Sequence, residues 1–236
     1  MSTSQSAIIV GVGPGLGASL VKVFAEAGFN VVMAARSADN LAQLKLEGSG
    51  ETVTSRACDV TDEGSVTALF EFADQTFGAP DVVVYNAGAF VPGRVLDIEP
   101  AEFERCWRVG CFGGFLVGQQ AARRMQKAGR GSIIFTGATA ALRGGAGFAN
   151  LASPKFALRS LSQSMARELG PDNIHVAHVI IDGQILSERY AHLQEGRGPD
   201  SLLDPDHIAQ SYLHLVNQPR TAWTQEMDLR PWAEKF

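Results

Sequence analysis

The chain has 236 residues, of which 20 are lysine or arginine and 25 are aspartate or glutamate. This mildly acidic balance offers no basic surface for nucleic acid, and no apolar stretch approaches the ~20 residues that span a bilayer. The N-terminal MSTSQS lacks the basic segment of a targeting peptide, and three cysteines without CxxC spacing argue against a disulfide framework. We therefore expect a cytoplasmic protein whose partners include neither nucleic acid nor a membrane.

Short apolar runs alternate with helical patterns along the whole chain. AIIVG (7–11) has the length of a strand, and it precedes a segment in which Leu20, Val23, Phe24 and Ala27 repeat at helical spacing. The same criteria predict strands at 29–35, 52–57, 81–86, 132–137, 175–181 and 225–229, and helices at 15–28, 38–47, 63–77, 101–128, 154–169 and 205–218.

Strands separated by helices indicate right-handed βαβ crossovers and a parallel sheet covered on both faces. No change of composition marks a linker. The predicted fold class is therefore α/β, with residues 1–236 forming a single doubly wound Rossmann-type domain. The segment 184–205 is polar and irregular, which favours a lid over a substrate site.

The glycine-rich loop GVGPGLG (11–17) lies between the first strand and the first helix. In that context glycines allow a tight turn and close approach to a pyrophosphate, and the helix N-terminus attracts the phosphates. A tight connection without a ligand is the alternative. We predict a dinucleotide site with contacts at Gly11, Gly13, Pro14, Gly15, Leu16 and Gly17.

The end of the second strand indicates which dinucleotide is bound. NAD sites place an acidic residue there for the ribose 2′-hydroxyl, whereas this chain has Ala35, Arg36 and Ser37. Arg36 can pair with a 2′-phosphate, unless it is simply a solvated residue at the start of the next helix. NADP is therefore favoured over NAD, although the nearby Asp39 weakens the preference.

These motifs, in this order, resemble those of the short-chain dehydrogenase/reductase family over nearly the whole chain. The glycine loop matches TGxxxGxG with Val10 in place of threonine, and NAG (86–88) matches NNAG with Tyr85 in place of its first asparagine. CDVT (58–61) matches the adenine-binding segment, and DG (182–183) stands where the family has Pro-Gly beside the nicotinamide. The resemblance implies further cofactor contacts at Asp59, Val60, Asn86, Ala87, Gly88, Lys155, Gly183 and Ile185.

The reaction that this resemblance implies is hydride transfer between a nicotinamide and a carbonyl or alcohol. The family uses a tyrosine as the acid or base, a lysine that lowers the pKa of that tyrosine, a serine and an asparagine. At the matching positions this chain has Leu151, Lys155, Ala138 and Gly110, so that only the lysine remains. A variant spacing that puts the tyrosine seven residues before the lysine falls on Phe148.

Several residues are candidate substitutes. Thr139 lies next to the serine position and either polarises a carbonyl or bonds locally to backbone. Tyr190 and His192 lie in the predicted lid and are either acids or solvated residues. Ser153 before Pro154 is interpreted as the N-cap of a helix that begins with proline.

Two hypotheses follow for the function. One is an NADP-dependent oxidoreductase acting on a small or hydrophobic carbonyl-type substrate, with Lys155 and Thr139 as candidate catalytic residues and an altered or absent acid. The other is an inactive nucleotide-binding sensor or scaffold of the same fold. A lyase-like or dehalogenase-like offshoot fits poorly, because such chemistry keeps the Ser–Tyr pair and drops the cofactor glycines.

No metal is expected, because His175 and His178 are three apart on one strand and point to opposite faces. The resemblance also implies a homodimer or homotetramer formed through the helices at 101–128 and 154–169. An apolar rim is expected around the substrate site from Phe90, Val91, Leu142, Phe148 and Leu151.

Overall fold

A seven-stranded sheet organises the computed structural model, which describes residues 4–44, 50–188 and 190–235. The strands are β1 (Ser6–Val10), β2 (Asn30–Ala35), β3 (Val53–Ala57), β4 (Val82–Tyr85), β5 (Gly131–Thr136), β6 (Ile174–Ile181) and β7 (Glu226–Leu229). They lie in the order β3-β2-β1-β4-β5-β6-β7, and all six neighbouring pairs are parallel. The predicted fold class is confirmed, with strand ends within about two residues of the predicted ones.

Helices cover both faces of the sheet. They are α1 (Leu16–Glu26), α2 (Ala38–Gln43), α3 (Glu63–Phe77), α4 (Pro100–Trp107), α5 (Gly113–Ala128), α6 (Ala149–Leu169), α7 (His192–Arg197) and α8 (Pro205–Val216). Alternate residues of β1 point to opposite faces, with Ile9 in the core under α1 and α8 and Ile8 in the core under α3, α5 and α6. Residues 45–47 of the predicted second helix lie outside the described residues.

The predicted helix at 101–128 is helical over its whole length, but it is not α-helical throughout. A π-helical segment over residues 108–112 separates α4 from α5, and the backbone N–H of Gly113 donates to the carbonyl of Arg108, five residues back. Inside this wider turn the carbonyl of Val109 accepts a hydrogen bond from the hydroxyl of the buried Tyr85. Such bulges are frequent at functional sites.

Helix α6 starts five residues earlier than predicted, so the capping interpretation of Ser153 is wrong. The backbone N–H groups of Leu151 and Ala152 already donate to the carbonyl of Phe148, at 3.0 and 2.8 Å. Ser153 is exposed inside the helix, and Pro154 is its sixth residue. A Ser-Pro pair fits a helix start, but it does not require one when the preceding turn is closed by backbone bonds.

The segment predicted as an irregular lid has structure of its own. Its ends are joined by backbone hydrogen bonds from Leu186 to Leu203 (2.8 Å) and from Leu203 to Gln184 (2.9 Å), and α7 lies between them. Among the described helices none is long and apolar enough to cross a membrane. The three cysteines are buried and free.

Candidate active site

A crevice opens at the carboxyl ends of the strands, where the strand order reverses between β1 and β4. Open parallel sheets bind ligands at this place. The first part of the crevice has a volume of about 680 Å³. It is lined by Gly11, Val12, Gly13, Pro14, Ala35, Arg36, Ser37, Asn40, Gln43, Leu44, Cys58, Val60, Asn86, Ala87, Gly88, Ala89 and Val109.

The glycines of the loop are required by backbone packing. Gly11 has φ +90°, and a Cβ at this residue would overlap the backbone of Ala87. The side-chain amide of Asn86 donates to the carbonyl of Gly11 at 3.0 Å, which joins the two loops. A Cβ at Gly17 would lie 2.8 Å from Cα of Val12, so this glycine lets α1 start directly against the strand end.

The N-terminus of α1 faces the crevice without a side-chain cap. Gly15 is the N-cap residue and has no side chain to occupy the first N–H groups, and Leu16 and Gly17 line the crevice. Exposed N–H groups and the positive end of the helix dipole suit a phosphate. Gly15 itself lines neither part of the crevice, and its φ of +103° explains why a glycine is needed there.

The end of β2 provides polar groups but no carboxylate. Arg36 is exposed, and Ser37 accepts a hydrogen bond from the backbone of Asn40 at 3.1 Å as the N-cap of α2. Asn40 and Gln43 line the crevice as well, and the sequence pattern did not identify them because polar residues on a short helix carry no motif.

Asp59 does not line the crevice, although its neighbour Val60 does. Its carboxylate accepts hydrogen bonds from the backbone and the hydroxyl of Thr61, at 2.9 and 2.8 Å. These bonds hold the pKa of Asp59 below its usual value. The contact with adenine that the resemblance implies for Asp59 stays a prediction.

A second part of the crevice, of about 390 Å³, continues toward β5 and β6. It is lined by Gly11, Gly13, Pro14, Leu16, Gly17, Asn86, Thr136, Gly137, Ala138, Lys155, Ile181, Gly183, Gln184 and Ile185. The side chain of Lys155 is only 6% exposed, and its Nζ donates to the carbonyl of Thr136 at 2.6 Å. Burial lowers the pKa of Lys155 to about 8.

Thr139 lies beside this second part, one residue beyond Ala138. Its hydroxyl donates to Oδ1 of Asp182 at 2.5 Å, and the other carboxylate oxygen of Asp182 lies 3.4 Å from Arg230. Asp182 is 2% exposed and directly precedes Gly183, which lines the crevice. The predicted role of Thr139 in polarising a carbonyl stays a prediction. In this structure the hydroxyl of Thr139 donates to Asp182.

A family model for short chain dehydrogenases matches residues 5–196. The chain belongs to the short-chain dehydrogenase family. A short-chain dehydrogenase from Rhodopseudomonas palustris is 39% identical, with a TM-score of 0.81 over 96% of this chain and 99% of that one. The 7alpha-hydroxysteroid dehydrogenase of Escherichia coli (strain K12) is 34% identical over 186 residues, which are 78% of this chain and 72% of the relative. An uncharacterized oxidoreductase of Staphylococcus aureus (strain N315) is 25% identical over 97% of this chain and 98% of its own.

Membership of the short-chain dehydrogenase family confirms the resemblance found in the motifs. It also implies oxidoreductase chemistry with a nicotinamide cofactor. The crevice fits such a cofactor, because the backbone of Gly11 and Gly17 is packed where no side chain fits and a buried lysine lies at the far end. The glycine loop would hold the phosphates, and Lys155 would hold a ribose.

The three residues that the resemblance matches to the family's asparagine, serine and tyrosine differ in their surroundings. Gly110 lies in the π-helical segment, and a Cβ at this residue would lie 2.7 Å from Cβ of Pro154. Ala138 lines the second part of the crevice without a hydroxyl. Leu151 is half-buried and lines neither part. That these residues replace the family's catalytic ones stays a prediction.

One buried polar group near Lys155 was not identified from the sequence. His178 is fully buried on β6, and its Nδ1 lies 3.2 Å from Glu226, which also makes two hydrogen bonds to Arg159 at 2.6 and 2.7 Å. Burial lowers the pKa of His178 to about 4, so the ring is neutral near pH 7. Its Nε2 packs against Gly137, which lines the crevice. A histidine within an apolar strand carries no signal that separates this arrangement from ordinary packing.

Aromatic side chains lie exposed on loops that follow β4 and β5. Phe90 and Phe148 stack with ring centroids 5.0 Å apart, and a backbone bond from Gly93 to Gly147 (3.1 Å) joins their loops. Both rings are exposed, as are Val91 and Leu142. Among the described residues, no three His, Cys, Asp or Glu side chains gather as a metal site requires.

Proposed function

We propose that the protein is an NADP-dependent oxidoreductase for a small or hydrophobic carbonyl-type substrate. The observation that carries the proposal is the continuity of the crevice. Its two parts share Gly11, Gly13, Pro14 and Asn86, and together they extend from Arg36 to Lys155. This is the path of an extended dinucleotide, with the adenosine near β2 and the nicotinamide near β6.

The choice of NADP over NAD rests on the end of β2. The residues that line the crevice there are Ala35, Arg36 and Ser37, with no carboxylate to repel a 2′-phosphate. An exposed guanidinium is well suited to pair with a phosphate in a bidentate manner. Asp39 is exposed in the first turn of α2 and does not line the crevice.

A hydrophobic substrate is supported by the stacked pair of Phe90 and Phe148. Large apolar side chains exposed next to a polar crevice are typical of a binding site. The pair lies on the segments that follow β4 and β5, and residues just beyond these strands, Asn86, Gly137 and Ala138, line the second part of the crevice.

The chemistry rests on positioning more than on acid catalysis. When bound, the nicotinamide supplies or accepts a hydride, and holding it against the substrate contributes much of the rate enhancement. General acid help adds ~10²–10⁴-fold, so an altered acid slows such an enzyme without abolishing the reaction. Lys155 remains to hold the ribose.

The second candidate is a nucleotide-binding protein without turnover. The contact between Gly110 and Pro154 and the methyl group of Ala138 favour it, because they place no polar group at two positions where the family has one. It differs from the first candidate only in the reaction, so the same nucleotide binding is expected of both.

One experiment separates the two candidates. The protein is titrated with NADPH and NADH, and the absorbance of the reduced nicotinamide is then followed with aldehydes, ketones, quinones and activated alkenes. We expect NADPH binding and slow oxidation with at least one hydrophobic carbonyl compound. Binding without oxidation across the panel would establish the second candidate, and no binding of either nucleotide would contradict both.

The preference for NADP has its own test. Arg36→Ala should weaken NADPH by about ten-fold or more, the size of a charge-assisted hydrogen bond to a phosphate, and leave NADH nearly unchanged. Equal losses for the two nucleotides would remove the 2′-phosphate argument.

We further propose a cytoplasmic homodimer or homotetramer. Phe103, Trp107, Phe115 and Phe156 lie exposed on α4, α5 and α6, the helices expected to pair between subunits. Four large apolar side chains on adjacent helices favour burial against another copy. Light scattering should give a mass of two or four chains, and Trp107→Glu with Phe115→Glu should reduce it to one.

A further inference from the structure

Two polar residues beside the second part of the crevice, Thr139 and Asp182, suggest a route for the proton that does not use the family's tyrosine. Asp182 occupies the position of the proline in the family's Pro-Gly pair, and its carboxylate is buried rather than solvated. A buried carboxylate needs partners, and Asp182 has two: the hydroxyl of Thr139 and the guanidinium of Arg230.

The hydrogen bond between Thr139 and Asp182 fixes the direction of the hydroxyl. A carboxylate only accepts, so the single proton of Thr139 is directed at Asp182 and the lone pairs of its oxygen remain for another donor. In this state such an oxygen is suited to accept from an alcohol O–H. A ketone, which has no proton to donate, would be reduced by the same pair only in the reverse direction, with the proton first on Asp182.

The backbone holds this pair next to the nicotinamide side of the crevice. Thr139 follows Ala138, and Asp182 precedes Gly183; both of these neighbours line the second part. The N–H of Asp182 donates to the carbonyl of Leu229 at 2.8 Å, which ties the end of β6 to β7. Arg230 directly follows Leu229, and its guanidinium lies 3.4 Å from Oδ2 of Asp182.

We infer that Thr139 and Asp182 take the place of the missing tyrosine, with Thr139 as the group that contacts an alcohol substrate and Asp182 as a positioning residue that receives the proton through it. The inference rests on the proposed oxidoreductase function and specifies its substrate class as a hydrophobic secondary alcohol. As hydride leaves the carbinol carbon, the alcohol O–H passes its proton to Oγ1 of Thr139. The proton of Thr139 passes to Oδ1 of Asp182. The products are a ketone, the reduced cofactor and a protonated Asp182, so that charge and atoms balance.

The first test measures recognition without turnover. Calorimetry with the protein and NADP⁺ compares acetophenone with 2-phenyl-2-propanol, a tertiary alcohol that has no carbinol hydrogen to transfer. We expect the wild-type protein to bind the alcohol about ten-fold more tightly, the size of one hydrogen bond with charge assistance. Thr139→Val should lose this preference and Thr139→Ser should keep it. Equal affinities in the wild-type protein, or no binding of either compound, would overturn the inference.

The second test separates the rate of oxidation from binding. Oxidation of 1-phenylethanol by NADP⁺ is followed at neutral pH. Asp182→Asn should lower kcat about 10²-fold, because the proton of Thr139 has no acceptor, and should leave the affinity for 2-phenyl-2-propanol nearly unchanged. Asp228→Asn is the matched control, because Asp228 also contacts Arg230 but has no bond to Thr139 in the described structure. It should behave as the wild-type protein does.

The outcomes separate the two levels of the proposal. NADP⁺ binding with no oxidation of any alcohol or reduction of any carbonyl compound would overturn the oxidoreductase function and this inference together. Turnover with an unchanged kcat in Asp182→Asn would overturn the inference alone. Thr139→Val leaves the ion pair of Asp182 and Arg230 in place. The binding test with this variant therefore still tests the inference if Asp182→Asn does not fold.

Discussion

The two ends of the crevice are built by different means. Near β1 and β4 the backbone itself makes the site, since Gly11 and Gly17 are packed against other backbone atoms and no side chain fits. Near β5 and β6 side chains make the site. Lys155 matches the lysine expected for the family, whereas Ala138 and Asp182 stand where a serine and a proline are expected. A site formed by packed backbone tolerates few substitutions. A site formed by side chains can acquire different functional groups while the backbone keeps its conformation.

The largest effect is expected where backbone meets backbone. Gly11→Ala combines a positive φ with a Cβ that overlaps Ala87, so it should cost about 3 kcal/mol or more of the free energy of unfolding and abolish nucleotide binding. Gly13→Ala is the control, because a Cβ there meets no atom within 4 Å. Urea unfolding measures both, and equal stabilities would mean that the two loops are not packed as described.

Lys155→Met tests the reaction end. Burial lowers the pKa of Lys155 from 10.5 to about 8, so keeping it charged in the fold costs about 3 kcal/mol at neutral pH. The variant should be more stable than the wild-type protein without nucleotide, and it should bind NADPH at least ten-fold more weakly. Because the cost is present below the folded pKa, the wild-type protein should gain stability between about pH 8 and 10.5 and the difference should shrink. A constant difference across that range would show that the charge is not the cause.

The close packing of Gly110 against Pro154 can be tested by a double-mutant cycle. Gly110→Asn alone should destabilise the protein by about 1–3 kcal/mol, because its Cβ would meet the proline ring. In the background of Pro154→Ala the same change should cost at least about 1 kcal/mol less. Thermal unfolding of the two single variants and the double variant gives this coupling, and additive costs would contradict the contact.

The smallest effect is expected from Leu151→Tyr. A tyrosine beside Lys155 restores one group, but Ala138 has no hydroxyl and the proton of Thr139 is directed to Asp182. Carbonyl reduction should rise less than about ten-fold, well below the ~10²–10⁴-fold of complete acid catalysis. A larger gain would mean that Thr139 turns to donate to the carbonyl.

The sequence was informative wherever a pattern is local. Alternating strands and helices predicted the sheet, and the glycine loop predicted the crevice, because periodicity and backbone freedom are properties of neighbouring residues. It did not reveal the π-helical segment, where contacts with Tyr85 and Pro154 come from two other elements far away in the sequence. The bond between Thr139 and Asp182 joins residues 43 positions apart, and only the ends of β5 and β6 bring them together.

The start of α6 shows a further limit. Ser153 and Pro154 form a good helix start, yet the turn at Phe148 closes first and the proline is carried inside the helix. The local preference for such a cap is worth about 1 kcal/mol, and it does not prevent the backbone bonds at Phe148 from starting the helix one turn earlier.

The contact between Gly110 and Pro154 also constrains how this protein can change with time. A mutation that introduces asparagine at residue 110 meets the proline ring, and a mutation that removes the ring leaves a hole where no side chain yet projects. Each single substitution is therefore expected to lower stability. The two residues form one unit in sequence change, since a side chain at residue 110 is tolerated only after residue 154 has become smaller.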